Sequence, residues 1–279
     1  SLLGRFPLEA GVSPHFALAD DRQSAELMAD ARDSVLQQTI DDPETPLAQA
    51  AVRIAGVADE TALEGLLMEV STHRHKLARW IDAAQGIEGA ERAVAEALGV
   101  PPGADETSIL ADAIAALDMG AVREAMGIFA TGSVTDKKKA DAISAFLDDP
   151  TPAGWLAHFQ WIFLTQKREP RAQKGLITKP LADATPHIKD WLIEEQSNII
   201  EAVFRCRAAR TSAMTCAVLR LGHGVMAAYE ALKARHALLD YDDLITRTAA
   251  LLSSRTSAQW VLYKLDRGLD HILVDEAQD

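Results

Sequence analysis

From Asp20 to about Gln38, the apolar residues Ala25, Leu27, Met28, Ala31, Val35 and Leu36 recur every three or four positions. That spacing places them on one side of a helix, and Asp20 or Asp21 can cap its first turn. The cluster Asp41-Asp-Pro-Glu-Thr-Pro46 then makes a turn and a new helix start. The same periodicity predicts helices over about 46–55, 59–84, 87–98, 105–128 and 136–148. Breakers separate them at Gly56, Gly86, Gly99-Val-Pro-Pro-Gly103, Gly132 and Asp148-Asp-Pro150. A longer tract runs from Pro186 to about His236 and reads as two helices or one kinked helix. Thr211-Ser212 can cap its second part, and Gly222-His-Gly224 weakens it further on. Asp240 then caps a helix ending near Leu252, with Tyr241 and Leu244 on its apolar side. A last helix over 257–267 carries Ala258, Val261, Leu262 and Leu265 and closes at Gly268. No repeat is strong enough for a solenoid. The pattern predicts a mainly α fold.

One segment breaks the helical rhythm. Ile272-Leu273-Val274 is too short for a helix and suits a buried parallel strand. It delivers Asp275 and Glu276 to the strand's C-terminal end, where open α/β sheets bind ligands. Phosphoryl transfer to water needs one carboxylate near Mg²⁺ and a second group to orient the attacking water. Adjacent carboxylates after an apolar strand supply both.

Composition narrows the classes. Hydrophobic residues make up 48% of the 279 and charged ones 25%, so the chain can bury a core. No apolar run approaches the ~20 residues that span a bilayer, and no basic-then-apolar leader opens the chain. Ser1-Leu2-Leu3-Gly4 reads as a cut inside a longer chain. Two cysteines, Cys206 and Cys216, are too few and wrongly spaced for a zinc site and read as buried thiols of a cytoplasmic protein. His73 and His75, at i and i+2, do not share a helix face and read as solvated. The net charge of −13 argues against non-specific coating of nucleic acid, though not against a local basic track.

Such a track exists. Trp155, Phe159, Ile162 and Phe163 fall on one helix face and read as core. Directly after them, Gln166-Lys-Arg-Glu-Pro-Arg-Ala-Gln-Lys-Gly-Leu-Ile-Thr-Lys179 is basic and broken by Pro and Gly. Lys167, Arg168, Arg171, Lys174 and Lys179 are candidate phosphate contacts, because flexible cations position a backbone without reading sequence. The run Lys137-Lys-Lys139 begins a helix and reads as solvated. Arg205, Arg207 and Arg210 form a second basic cluster, suited equally to surface ion pairs and to DNA.

Val274-Asp-Glu-Ala-Gln-Asp279 resembles motif II, the Walker B box, of superfamily 1 DNA helicases. Arg5-Phe-Pro-Leu-Glu-Ala-Gly11 is similar to a stretch of AddA-type helicases. Phe163-Leu-Thr165, a following arginine and Leu176-Ile-Thr-Lys179 also look AddA-like. Leu239-Asp-Tyr-Asp-Asp-Leu-Ile245 resembles a segment ahead of motif II in UvrD-like helicases. Three separated matches in order point to AddA, the helicase-nuclease subunit of bacterial recombinational repair of double-strand breaks. The resemblance implies a helical 1B insertion with short flanking pieces of a RecA-like α/β motor. Residues 1–14 and 238–279 would be motor and 15–237 the insertion. It further implies ATP and Mg²⁺ as cofactors, with DNA and an AddB-like subunit as partners. Asp275 would hold Mg²⁺ through water and Glu276 would orient or deprotonate the attacking water. Gln278 and Asp279 would relay ATP state to the DNA site. No Gly-x-x-x-x-Gly-Lys-Ser/Thr occurs in the 279 residues, so no loop of this chain cradles phosphates. Two alternatives stand beside this: a UvrD-like helicase without a nuclease, and a non-catalytic helical interaction module.

Overall fold

The computed structural model describes residues 2–253 and 258–266, and these are mainly helical. They divide into two compact units. One comprises the described residues through Ala78 and from Arg220 onward; the other is Arg79–Leu219.

In the first unit, Ala17–Leu18 pairs in parallel with Leu238–Leu239. Beside this pair, Leu3, Phe6, Val12, Leu239, Leu251 and Val261 form one small core. The beginning and the end of the described chain therefore share their buried apolar surface. The helix Asp21–Asp41 starts in a capping box, with the Asp20 carboxylate accepting from the Gln23 N–H at 2.7 Å. It buries Leu27, Ala31 and Val35 at i, i+4 and i+8. Thr45 caps the helix Pro46–Ala55, which buries Ala48 and Ile54.

The second unit is built on an aromatic centre. Phe129, Phe146, Trp155, Phe159, Ile162 and Phe163 are each at most 1% exposed. Phe159 lies 4.6 Å from Phe146 and 5.3 Å from Phe163 between ring centroids. The face expected to be core is core. Trp155–Phe159 forms a π-helical turn between the short helices Pro152–Gly154 and Gln160–Phe163. Cys206 is buried in this core and Cys216 is half-buried.

Two of the expected helices are each divided in two. The span 59–84 is two helices, Glu60–Thr72 and Arg74–Ala83, parted at His73. The span 105–128 is also two, Glu106–Ala115 and Met119–Ala130. There the Asp118 carboxylate accepts from the Gly120 and Ala121 N–H groups at 2.8 and 3.1 Å and starts a new helix. Of the two alternatives for the long tract, a single helix is found, Pro186–Arg235, of 50 residues. Ser212 is buried inside it and caps nothing. Gly222 is required for close packing, since a Cβ there would come within 2.8 Å of Val70 Cγ1. On the helix Tyr241–Ser253, Leu244 packs against the core as expected, but Tyr241 is 72% exposed and Asp243 is buried. Motif II, its strand and the Gly268 cap lie outside the described residues.

Truncating Phe159 to alanine should cost about 3–5 kcal/mol, because its neighbours cannot refill an aromatic cavity. Tyr241→Ala should stay within about 0.5 kcal/mol, as expected of an exposed side chain. Urea unfolding of both variants checks this, and similar losses would contradict the assigned faces.

Candidate functional site

The basic segment is a small hairpin followed by two short helices. Leu164 and Pro170 form an antiparallel bridge, and the Thr165 N–H donates to the Glu169 carbonyl at 2.8 Å. Arg168 takes a left-handed backbone, φ 58°, to make the reversal. Lys167, Arg168, Lys174 and Lys179 are exposed. Arg171 differs. Its Nε donates to the Trp161 carbonyl at 2.8 Å, its guanidinium stacks 5.6 Å from the Trp161 ring, and it is half-buried. Gln196 clamps the base of the hairpin by donating to the Phe163 and Arg171 carbonyls at 2.8 and 3.0 Å. Arg171 thus helps shape the hairpin, while the other four cations face solvent.

A buried polar node ties down the far end of the segment. The Asp136 carboxylate accepts from the Ser133 and Thr178 hydroxyls, both at 2.8 Å. Lys139, 2% exposed, donates to the Leu176 carbonyl at 2.6 Å and lies over the Phe129 ring. The sequence reads Lys139 as solvated, and the structure corrects this. Burial pushes its ammonium below the ordinary lysine range, and Asp136 offsets only part of that. Burial would raise Asp136, but its hydroxyl donors and Lys139 outweigh that and hold it low. Lys137 and Lys138 remain exposed. The missed signal was periodic: Asp136, Lys139, Ile143 and Phe146 continue one buried stripe.

The first unit holds a second charged cluster. Lys233, 2% exposed, has its ammonium 2.8, 2.9 and 2.6 Å from Glu230, Asp240 and Asp243. The Tyr229 hydroxyl donates to Asp240 at 3.0 Å, and Arg74 bridges Asp240 and Asp242 at 2.9 Å each. The backbone N–H of each of Asp240 and Asp243 also donates to the other's carboxylate, so Asp240 is the N-cap that the sequence indicated. Burial would lower Lys233, but its three carboxylates outweigh this and raise it. Burial would likewise raise Asp240, yet Lys233, the Asp243 N–H and Arg74 hold it below the ordinary range. Arg74, Tyr229 and Lys233 were not singled out by sequence reasoning, and Asp243 was noted only within the stretch Leu239–Ile245. Leu221, Val225, Tyr229 and Lys233 form an i, i+4 stripe of buried residues, and a lysine on such a stripe was the available sign. The neighbouring histidines are less enclosed. His73 lies 3.3 Å from Glu69, and His75 lies 3.9 Å from Asp242.

Asp275, Glu276, Gln278 and Asp279 lie outside the described residues, so their geometry adds nothing to the sequence pattern. Among the described residues, no group of three His, Cys, Asp or Glu is placed to hold a metal ion. No described helix is long and apolar enough to cross a membrane.

Residues 156–279 match the family model of the UvrD/REP helicase N-terminal domain. The matched span takes in the basic hairpin, the Asp240 cap and the terminal Asp-Glu-Ala-Gln-Asp. Over that span the chain is similar to the N-terminal domain of UvrD/REP helicases. No curated protein and no solved structure matches the chain.

The lowered Asp240 value sets a pH test. A carboxylate depressed in the folded state contributes stability that is whole above its ordinary value of 3.8 and is lost as pH falls through the lower folded value. Asp240→Asn should therefore cost about 1.5–3 kcal/mol at neutral pH, the range for hydrogen bonds to charged groups. The gap from wild type should narrow only in acid. Urea unfolding across pH 3–8 reads it, and a gap unchanged down to pH 3 would contradict the pairing.

Proposed function

We propose that this chain is part of an AddA-like helicase-nuclease subunit that unwinds double-stranded DNA ends in recombinational repair, beside an AddB-like partner subunit. The observation that carries it is the match of residues 156–279 to the UvrD/REP helicase N-terminal domain. Arg5-Phe-Pro-Leu-Glu-Ala-Gly11 and the AddA-like pattern through Lys179 turn that match toward AddA. The common core of Leu3, Phe6 and Val12 with Leu239, Leu251 and Val261 supports residues 1–14 and 238–279 as parts of one motor domain. The intervening residues 15–237 are then the helical 1B insertion.

In this reading Asp275 holds Mg²⁺ through water and Glu276 orients or deprotonates the water that attacks the γ-phosphate. Gln278 and Asp279 carry the nucleotide state toward DNA. Mg²⁺ supplies charge neutralisation on the phosphates when bound. The phosphate cradle must come from a Gly-x-x-x-x-Gly-Lys-Ser/Thr loop, which these 279 residues do not contain. The exposed Lys167, Arg168, Lys174 and Lys179 contact duplex phosphates, and Arg171 holds the hairpin that presents them.

Two measurements test this. In a helicase carrying these residues together with its phosphate loop, Glu276→Gln should preserve ATP binding and abolish turnover. The 279-residue chain alone should show no measurable ATPase, and robust hydrolysis by it would sink the assignment. For DNA, neutralising Lys167, Arg168, Lys174 and Lys179 in that helicase should flatten the salt dependence of duplex binding. The log–log slope should fall by about 0.9 for every DNA phosphate left without its cation. Neutralising Lys137 and Lys138 is the control and should matter less. An unchanged slope in the first set would make the hairpin an ordinary solvated surface.

A further inference from the structure

Phe204 is 59% exposed on the long helix Pro186–Arg235 and lies outside the aromatic core of its unit. The Arg207 guanidinium sits 5.9 Å from the centre of its ring. Arg207 and Arg210 line one cleft together with Gln160 and Arg168, the residue that turns the hairpin. Gln160 and Arg168 also line the adjoining cavity beside Trp161 and Arg171. Arg168 of the hairpin thus meets Arg207 and Arg210 of the long helix at one cleft, and Arg207 links that cleft to the Phe204 ring, which lies just outside its lining. Arg210 is 3.9 Å from Glu106, an exposed ion pair that water and salt weaken.

A duplex keeps the faces of its bases stacked inside, so a surface phenyl gains little from it. A single strand offers those faces, and every base has one. An arginine beside the ring adds both phosphate attraction and cation–π contact to the same strand. We propose that Phe204, Arg207 and Arg210, continuous with Arg168, form a single-strand nucleic-acid platform. The bases stack on Phe204 and the backbone runs along the arginines. This rests on the reading of the hairpin as a nucleic-acid surface and deepens it, since it names the strand state that the adjoining helix face accepts.

The test uses the 279-residue chain with fluorescein-labelled oligo-dT and a duplex of equal length, at low salt, by anisotropy. The chain's net charge of −13 calls for protein at tens of micromolar, since non-specific contacts give Kd values of about 10⁻⁴–10⁻⁶ M. Phe204→Ala should weaken oligo-dT binding at least about five-fold, the lower bound for losing one stacked base, and leave duplex binding nearly unchanged. Phe204→Trp should restore it. The joint Arg207→Ala and Arg210→Ala variant should weaken oligo-dT and lower its salt slope. Circular dichroism should match wild type for each variant, because all three side chains are exposed.

If Phe204→Ala leaves oligo-dT affinity unchanged, or weakens both polymers equally, the platform is overturned. Neutralising Lys167 and Arg168 in parallel separates the two ideas. A slope change there with no Phe204 effect overturns the platform alone. No slope change with either polymer, or no binding by wild type, overturns the nucleic-acid reading of the hairpin as well.

Discussion

An ammonium group taken out of water must meet carboxylates or carbonyls, because its desolvation costs several kcal/mol when it is left alone. Lys233 meets that demand with three carboxylates, of which Asp240 and Asp243 begin the next helix and Glu230 lies one turn back on its own. The constraint is geometric as well as energetic. Carboxylates 2.6 and 2.9 Å from one nitrogen fix where the helix Tyr241–Ser253 starts relative to the end of Pro186–Arg235. Arg74 closes the arrangement by holding Asp240 and Asp242. The Arg79–Leu219 unit repeats the solution with Lys139, whose donation to the Leu176 carbonyl pins the chain after the basic hairpin. Each unit thus uses one buried lysine to fasten a segment that leaves an irregular stretch of chain.

The same constraint explains which features were legible in the sequence. Helix starts were legible where a local cap also interrupts the apolar pattern. Asp20, Thr45 and Asp240 each accept from an N–H three residues on, a pattern contained in four consecutive letters. The break at Asp118 uses equally local bonds, but an uninterrupted apolar pattern over 105–128 concealed it. Continuity through Gly222 was hidden for the opposite reason. Glycine weakens an isolated helix, whereas here it admits Val70, and a partner more than a hundred residues away leaves no local trace. Aromatic character alone puts Tyr241 on the wrong face. The structure buries Asp243 instead, since Lys233 is there to receive it.

The basic segment was legible as chemistry but not as a division of labour. Composition marks Lys167, Arg168, Arg171, Lys174 and Lys179 alike. Only the fold separates Arg171, which is held by the Trp161 carbonyl and ring, from the four exposed cations. Lys139 shows the converse, a member of a lysine run drawn inside by Asp136, Phe129 and a carbonyl. The carboxylates Asp275 and Glu276 belong to sequence alone, as they lie outside the described residues. Their reading depends on the order of residues around them and on the family match over 156–279.

Net charge is therefore a poor guide to where this molecule can meet an anion. The acidic excess of 41 over 28 is spread along the whole sequence, and several of the cations are consumed internally. Arg74, Lys139, Arg171 and Lys233 bond to carboxylates or carbonyls that the fold requires. Lys167, Arg168, Lys174, Lys179, Arg207 and Arg210 instead remain on the surface, on the hairpin, on the two short helices after it and on the long helix, with Arg168, Arg207 and Arg210 sharing one cleft. The internal cations hold the geometry, and the outward ones stay available to an anion. Screening confines their field to about 8–10 Å at physiological salt, so distant acid does little to cancel it. A strongly acidic chain can carry a phosphate-binding surface on these terms, provided the cations on that surface are the ones that folding has not already engaged.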